Sequence, residues 1–167
     1  MIKKFVDCWE AHKHDLEVAI LQDIESMEQD IEGDVPRWEA LSDVFSYKNL
    51  IFHILNKVLI DDMGDPLYDY DQLTVIDNGD YQGTFIFIAP EFDCYQPGQG
   101  DYMMTFVGYG SCAGCDIMED LICSYDKDYP EHTAVIVTDM MQLALHIIQR
   151  MIIPWSEENF EYYKLGT

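Results

Sequence analysis

Apolar residues recur at helical spacing through the first third of the chain. Over residues 5–31 they fall three, four or seven positions apart, which places them on one face at about 100° per residue. Gly33 follows this stretch and predicts its end. A second apolar stripe begins after Pro36, a residue suited to a first helical turn, and continues to about Asp61 with a break near Ser46. The pattern predicts two long amphipathic helices.

Short runs rich in β-branched and aromatic residues replace this spacing after residue 66. Residues 73–76, 84–88 and 102–107 predict three strands, and Asn78 and Gly79 predict the turn between the first two. A second turn-rich segment, residues 96–100, leads into the third strand. The order predicts a three-stranded antiparallel meander.

A helix–strand–helix unit is predicted after the meander. Ser111 is suited to cap a short helix that ends near Ser124, and the β-branched run 133–138 is typical of a fourth strand. Thr138 or Asp139 then caps a last helix that ends before Pro154. The predicted fold is one α+β domain over residues 1–167. Its parts are a helical region at 1–61, the meander with the helix–strand–helix unit at 67–153, and a docked tail at 154–167.

The composition gives this domain an extreme charge. The 167 residues include 32 Asp and Glu against 9 Lys and Arg, for a formal net charge of −23. Because phosphate binding needs cationic side chains, direct binding to nucleic acid or to an anionic membrane is disfavoured. No membrane-spanning run and no signal-peptide pattern occur in the sequence, so we expect a cytoplasmic location. The oligomeric state is not predicted.

The acidic residues are unevenly distributed. Between Lys57 and Lys127 there are fourteen acidic residues and no Lys or Arg, so this base-free region cannot neutralise itself through local salt bridges. The first predicted helix carries a row of carboxylates within about 80° of one edge, over about 38 Å at 1.5 Å per residue. The helix row consists of Asp7, Glu10, Glu17, Glu25, Glu28 and Glu32.

This distribution predicts a protein that mimics nucleic acid and covers the cationic groove of another protein. The helix row has about half the linear charge density of one DNA strand, so acids of the base-free region would have to supply the rest. Tyrosines among those acids are expected to anchor the interface. A solvated acidic surface that only confers solubility is the alternative. The further predicted partner-binding residues are Asp61, Asp62, Asp65, Asp69, Asp71, Asp80, Tyr68 and Tyr70.

No phosphate-binding loop, nucleophile elbow or convincing nucleophile–base pair occurs in the sequence, so we predict no enzymatic activity. The most distinctive string is Tyr109-Gly-Ser-Cys-Ala-Gly-Cys-Asp116. Cys112 and Cys115 have the spacing of zinc ligands, and Cys94 with His132 or an acid would complete a structural zinc site. No other cofactor is predicted.

The same two cysteines permit two other interpretations. A Cys-x-x-Cys pair that enters a helix N-terminus has a lowered thiol pKa, which suits redox chemistry. Neighbouring acids and the absence of any nearby Lys or Arg in sequence disfavour a thiolate, and the preceding hairpin does not match a thioredoxin fold. The third interpretation is a packed turn that contains two small thiols.

The cysteine string resembles the Tyr-Gly-Ser-Cys-x-Gly-Cys-Asp signature of a group of small acidic proteins from phages and bacteria. The resemblance covers residues 80–150 and leaves the N-terminal helices unmatched. It implies a phage or mobile-element origin and no particular activity. A phage origin fits an inhibitor of a host nuclease or of a defence complex such as a CRISPR effector.

Overall fold

The helices of the N-terminal third follow the predicted pattern. A computed structural model describes residues 2–154, so the predicted docked tail lies, apart from Pro154, outside the described residues. The predicted break is confirmed, because the Ser46 side chain caps the helix after it and accepts a hydrogen bond from the Asn49 backbone N–H at 3.2 Å. The helices are α1 (Ile2–Glu32), α2 (Arg37–Val44) and α3 (Tyr47–His53), and α3 runs into a π-helical turn at Ile54–Val58.

The predicted meander is confirmed as an antiparallel sheet in the order β1-β2-β3. Its strands are β1 (Thr74–Gly79), β2 (Gly83–Pro90) and β3 (Tyr102–Tyr109). The predicted turn position is wrong: Asn78 and Gly79 belong to β1, Gly79 pairs with Gly83, and residues 80–82 form the turn. A Cβ on Gly79 would lie only 2.7 Å from the Gly83 Cα, so the narrow end of the hairpin requires glycine there.

The helix after the meander ends where the sequence predicts but begins later. Helix α4 spans Ile117–Ser124, and residues 111–115 form turns before it. The predicted cap Ser111 is therefore wrong, and Asp116 takes that position. The Asp116 carboxylate accepts a hydrogen bond from the Met118 backbone N–H at 2.8 Å, which satisfies a donor that the first helical turn leaves free.

The predicted strand at residues 133–138 is wrong, and with it the helix–strand–helix unit. The segment belongs to one continuous helix, α5 (Pro130–Gln149), with a proline in its first turn. Its buried side chains recur at helical intervals, so packing decides against the strand preference of β-branched residues. They are Ile136, Val137, Met140, Ala144, Ile147 and Ile148. Mixed helix and sheet, with the helices outside the meander, still make the protein an α+β fold.

The core lies between α1, α5 and the helices that follow α1. Helix α1 packs against α5, α2 and the π-helical turn, and β3 packs against α5. The inward face of the sheet contributes alternating buried residues such as Phe87, Met103 and Thr105. Among the helices of residues 2–154, none combines the length and the apolar character needed to cross a bilayer.

Candidate functional site

Three segments of the base-free region meet at one end of the molecule. The Leu67 backbone N–H donates to the Leu59 carbonyl at 2.7 Å, and the Phe92 N–H donates to the Leu67 carbonyl at 3.1 Å. The Glu91 N–H donates to the Asp101 carbonyl at 2.6 Å, which adds the start of β3. We call this region the acidic end. Its carboxylates are Asp61, Asp62, Asp65, Asp69, Glu91, Asp93 and Asp101.

The beginning of α1 also belongs to the acidic end. The Phe5 ring meets the Tyr68 ring edge-on, with 6.2 Å between the centroids. Asp7 lines a groove of about 530 Å³ together with Asp61 and Asp62. Lys3 and Lys4 line the same groove. The first residue of the predicted helix row, Asp7, and the predicted loop acids Asp61 and Asp62 are therefore brought together at this point.

Most carboxylates of the base-free region face solvent without a cationic partner. Ten of the fourteen are exposed, and within residues 2–154 none of the fourteen forms an ion pair. A cationic partner would therefore not have to displace an internal Lys or Arg from them. The ten are Asp61, Asp62, Asp65, Asp71, Asp77, Asp80, Glu91, Asp93, Glu119 and Asp120.

Backbone hydrogen bonds hold several of these side chains in fixed directions. Asp61 Oδ1 accepts from the N–H groups of Met63 at 2.8 Å and Asp65 at 3.0 Å. Asp69 Oδ1 accepts from the Asp71 N–H at 3.0 Å. Asp and Asn side chains commonly order turns in this way. The acidic end is therefore a shaped surface of carboxylates on ordered loops.

The helix row carries less free charge than its sequence predicts. Glu10 forms an ion pair with Lys13 at 2.7 Å, and Glu32 lies 3.6 Å from Lys127. Glu17 contacts the His14 ring, and Glu28 accepts a hydrogen bond from the Tyr125 hydroxyl. Within residues 2–154, only Asp7 and Glu25 of the row have no hydrogen-bond or ion-pair partner. The row is at the surface, but most of it is occupied by neighbours from the same chain.

Other predicted partner-binding residues are separated or buried. Asp80 lies in the turn after β1, whereas Asp71 precedes that strand, so about 20 Å of extended chain separates them. Tyr68 is only 5% exposed, and the prediction of an exposed anchor there is wrong because its ring packs in the core. Tyr70 is half-buried and packs edge-on against Phe52.

Sequence reasoning missed two of the apolar side chains that are exposed at the acidic end, Met63 and Phe92, whereas Tyr95 is one of the tyrosines expected at the interface. Met63 is 86% exposed and Tyr95 is 90% exposed, and Phe92 is also exposed between Glu91 and Asp93. Their signal in the sequence is an apolar residue inside a turn-rich acidic loop. Aromatic residues and Met are common at the centres of protein interfaces.

Comparison of the chain with protein families, with curated proteins and with solved structures finds no match. The resemblance to small acidic phage proteins stays a prediction.

The two string cysteines meet, but the predicted zinc ligands do not gather around them. The Cys112 and Cys115 Sγ atoms are 2.9 Å apart. Cys94 contacts Asp101 at the acidic end, and β3 lies between Asp101 and the string, about 26 Å at 3.3 Å per residue. His132 instead stacks on Tyr129. Within residues 2–154, no three His, Cys, Asp or Glu side chains are grouped as metal ligands.

A buried carboxylate fixes the loop that carries these cysteines. Asp116 Oδ2 accepts from the Gly110 N–H at 3.0 Å, and Oδ1 accepts from the Tyr47 hydroxyl at 3.0 Å. Burial, together with the negative charge of Asp116, raises the pKa of Tyr47 well above its usual range. The hydroxyl therefore keeps its proton and donates it to this hydrogen bond. The contact links α3 to the N-terminal end of α4.

Proposed function

We propose that this protein is a non-enzymatic inhibitor that binds the cationic groove of a nucleic-acid-binding protein through its acidic end. The observation that carries the proposal is the set of exposed carboxylates in the base-free region, none of them ion-paired within residues 2–154. A host nuclease or a defence complex of the CRISPR-effector kind is the class of target that a phage origin would favour.

Electrostatics supports the acidic end over the helix row as the contact surface. Phosphate contacts supply most non-specific affinity for nucleic acid, so a mimic needs fixed anions and no base edges. The loop carboxylates meet this need, because backbone N–H groups orient Asp61 and Asp69 and, within residues 2–154, no Lys or Arg forms an ion pair with them. Most of the helix row would first have to release Lys13, Lys127 or other internal partners. Exposed Met63 and Phe92 would add apolar contact area.

The proposal is tested by competition for nucleic acid. A panel of purified nucleases and RNA-guided effectors is mixed with labelled DNA or RNA, and the protein is titrated into each mixture. We expect it to displace nucleic acid from at least one panel member. The displacement should weaken steeply between about 50 mM and about 200 mM salt, because charge pairing dominates the contact. The proposal would be contradicted by binding whose affinity does not change with salt concentration. It would also be contradicted if no panel member lost bound DNA or RNA.

A matched pair of triple variants localises the surface. The first variant is Asp61→Asn, Asp62→Asn and Asp65→Asn; Asn at position 61 retains an oxygen for the turn. The control variant, Asp30→Asn, Glu39→Gln and Asp43→Asn, removes the same charge from exposed positions outside the acidic end: Asp30 lies about 35 Å from Asp7 along α1, and Glu39 and Asp43 lie on α2.

We expect the acidic-end variant to weaken inhibition about tenfold or more, which is about 1.4 kcal/mol, and the control about twofold. Equal losses in the two variants would show that net charge alone acts. Such a result would overturn the assignment to the acidic end.

A further inference from the structure

The two cysteines of the string occupy one tight turn with their thiols in contact. The Cys115 backbone N–H donates to the Cys112 carbonyl at 2.9 Å, and the Asp116 N–H donates to the same oxygen at 2.9 Å. Both side chains are exposed, and their Sγ atoms are 2.9 Å apart. A disulfide needs about 2.05 Å, so the two sulfurs lie within about 1 Å of bonding distance.

The surrounding loop holds the pair in this arrangement. Asp116 follows Cys115, and its carboxylate accepts a hydrogen bond from the backbone N–H of Gly110, which precedes the two cysteines. It also accepts a hydrogen bond from the Tyr47 hydroxyl on α3. A Cβ at Gly110 would lie 2.5 Å from the Cys115 Sγ, so glycine is required where the chain passes the thiol. The pair is thus preorganised by residues that have no role at the acidic end.

The two thiols are not equivalent. Cys115 lines a cavity of about 230 Å³ together with Phe106, His146 and Arg150, whereas Cys112 does not line it. Arg150, which caps the C-terminal end of α5, reaches this cavity only through the fold, because no Lys or Arg is close to Cys115 in sequence. The contact between the two thiols lowers the pKa of Cys115 and raises the pKa of Cys112. More of Cys115 than of Cys112 is therefore thiolate, which is the form that attacks a disulfide.

We propose that Cys112 and Cys115 form a dithiol–disulfide site that exchanges electrons with small disulfides, with Cys115 as the attacking sulfur. The Cys115 thiolate attacks one sulfur of a disulfide RSSR, forms a mixed disulfide and releases one thiolate RS⁻. Cys112 then loses its proton, attacks the Cys115 Sγ and expels the second RS⁻. The protein loses two electrons and two protons, and RSSR becomes two RSH. The reverse reaction, with excess RSH, restores the dithiol.

This site is independent of the proposed inhibitor function. It uses no residue of the acidic end, and its assay contains no partner protein. Failure of either proposal therefore leaves the other standing.

The test uses the full chain equilibrated with mixtures of oxidised and reduced glutathione as the probe. Remaining thiols are alkylated, and the peptides are identified by mass spectrometry. We expect a Cys112–Cys115 disulfide that forms with oxidised glutathione and disappears with excess reduced glutathione. Cys123 is the internal control, since it is exposed but has no thiol partner within residues 2–154, and it should carry only a glutathione adduct. The proposal would be overturned if Cys112 and Cys115 carried stable glutathione adducts, as Cys123 does, instead of a disulfide. It would also be overturned if neither Cys112 nor Cys115 reacted.

Single variants assign the order of attack. Cys112→Ser should trap a stable glutathione adduct on Cys115, because no second thiol resolves it. Cys115→Ser should leave Cys112 reacting about threefold more slowly, because Cys112 does not line the cavity that Arg150 lines. Equal rates in the two variants, or a faster reaction at Cys112, would overturn the assignment of Cys115. The unaltered chain is also treated with limiting oxidised glutathione. The cysteine that carries the first glutathione adduct is the attacking sulfur, and this measurement needs no substitution.

Discussion

Asp116 shows how one side chain can determine local structure at several points. It is the buried acidic side chain among residues 2–154, and a buried charge is tolerated only where donors surround it. The donors are the Tyr47 hydroxyl and the backbone N–H groups of Gly110 and Met118. Asp116 thus caps α4, closes the cysteine turn and binds α3 at once.

We expect Asp116→Ala to lower the free energy of unfolding by about 2–4 kcal/mol. Loss of a helix cap costs about 1 kcal/mol, and a buried hydroxyl left without its partner adds about 1–3 kcal/mol. Urea denaturation measures the change. Asp120→Ala is the control, since Asp120 is exposed on the same helix and should change stability by only about 0.5 kcal/mol. Equal effects of the two substitutions would contradict this account of Asp116.

The role of Asp116 could not be predicted from the sequence. Local pattern identifies an acid beside two cysteines, and its expected effect is to disfavour a thiolate. The contact with Tyr47 joins residues 69 positions apart, and no spacing rule connects them. Arg150 and His146 reach the Cys115 cavity for the same reason, through the packing of α5. Side-chain chemistry between distant segments depends on the fold and is not contained in a motif.

At the scale of elements, periodic patterns predict well when tertiary packing agrees with local preference. Helix α1 and the meander have strong periodicity, and both are confirmed. Residues 133–138 contain β-branched side chains that favour a strand, but adjacent Ile136 and Val137 are both buried, as a helix face allows. Strand alternation would have placed one of them in solvent. The burial of a helical stripe against α1 therefore outweighs strand preference.

A pair of neighbouring substitutions distinguishes the helix from the predicted strand. Val135 is 59% exposed, so Val135→Ala should raise the free energy of unfolding by a few tenths of a kcal/mol, about the difference in helix propensity. Ile136 is 2% exposed, and Ile136→Ala should lower the free energy of unfolding by about 2–4 kcal/mol. Chemical denaturation of both variants checks this. A clear loss of stability from Val135→Ala would be expected of a strand and would contradict the helix.

The contact between α1 and α3 predicts a response to acid. The His53 ring lies 2.6 Å from Asp23 Oδ2, and the Asn49 amide donates to the same oxygen at 2.7 Å. Burial alone would raise the pKa of Asp23, but the hydrogen bonds with His53 and Asn49 outweigh it and lower that pKa below 3.8. The ionised carboxylate therefore stabilises the fold above pH 3.8, and this contribution is lost as the pH falls through the folded-state pKa.

We expect the stability difference between the unaltered protein and Asp23→Asn to shrink as the pH falls from about 5 to about 3. Urea midpoints at a series of pH values measure the difference. Asp30→Asn, at an exposed position on α1, is the control for general charge effects and should show a smaller change. A difference that stays constant over this range would contradict the lowered pKa of Asp23.

At the scale of the whole molecule, the sequence predicts which region lacks Lys and Arg. It does not predict which Asp and Glu side chains lie next to one another in the fold. The base-free region is visible from composition alone, whereas the acidic end depends on backbone hydrogen bonds between residues 59, 67, 90–92 and 101. The helix row was predicted from an isolated helix, so its pairing with Tyr125 and Lys127 could not be foreseen. The acidic residues do not form the predicted continuous array but several separate surface patches. The acidic end is the patch whose loops are ordered by hydrogen bonds and which also exposes apolar side chains.

The large negative net charge makes the stability of the molecule depend on salt. With a net charge of −23, repulsion between carboxylates opposes folding, and added salt screens it over about 10 Å at 0.1 M and about 3 Å at 1 M. We expect the melting temperature to rise by about 3 °C or more between about 0.02 M and about 0.5 M potassium chloride. A fall with salt would mean that ion pairs such as Glu10–Lys13 dominate instead, although exposed pairs of this kind contribute little.

The triple variant Asp61→Asn, Asp62→Asn and Asp65→Asn connects this stability to function. Because the three carboxylates lie on one loop, and Asp61 and Asp62 share a groove with Asp7, we expect the variant to melt at a higher temperature at low salt and to respond less to salt. The control variant, Asp30→Asn, Glu39→Gln and Asp43→Asn, should gain less, because its charges are spread over two helices. A surface that loses binding but gains stability when neutralised is one whose charges serve a partner and not the fold. An acidic-end variant that is less stable than its control at low salt would instead give these carboxylates a structural role.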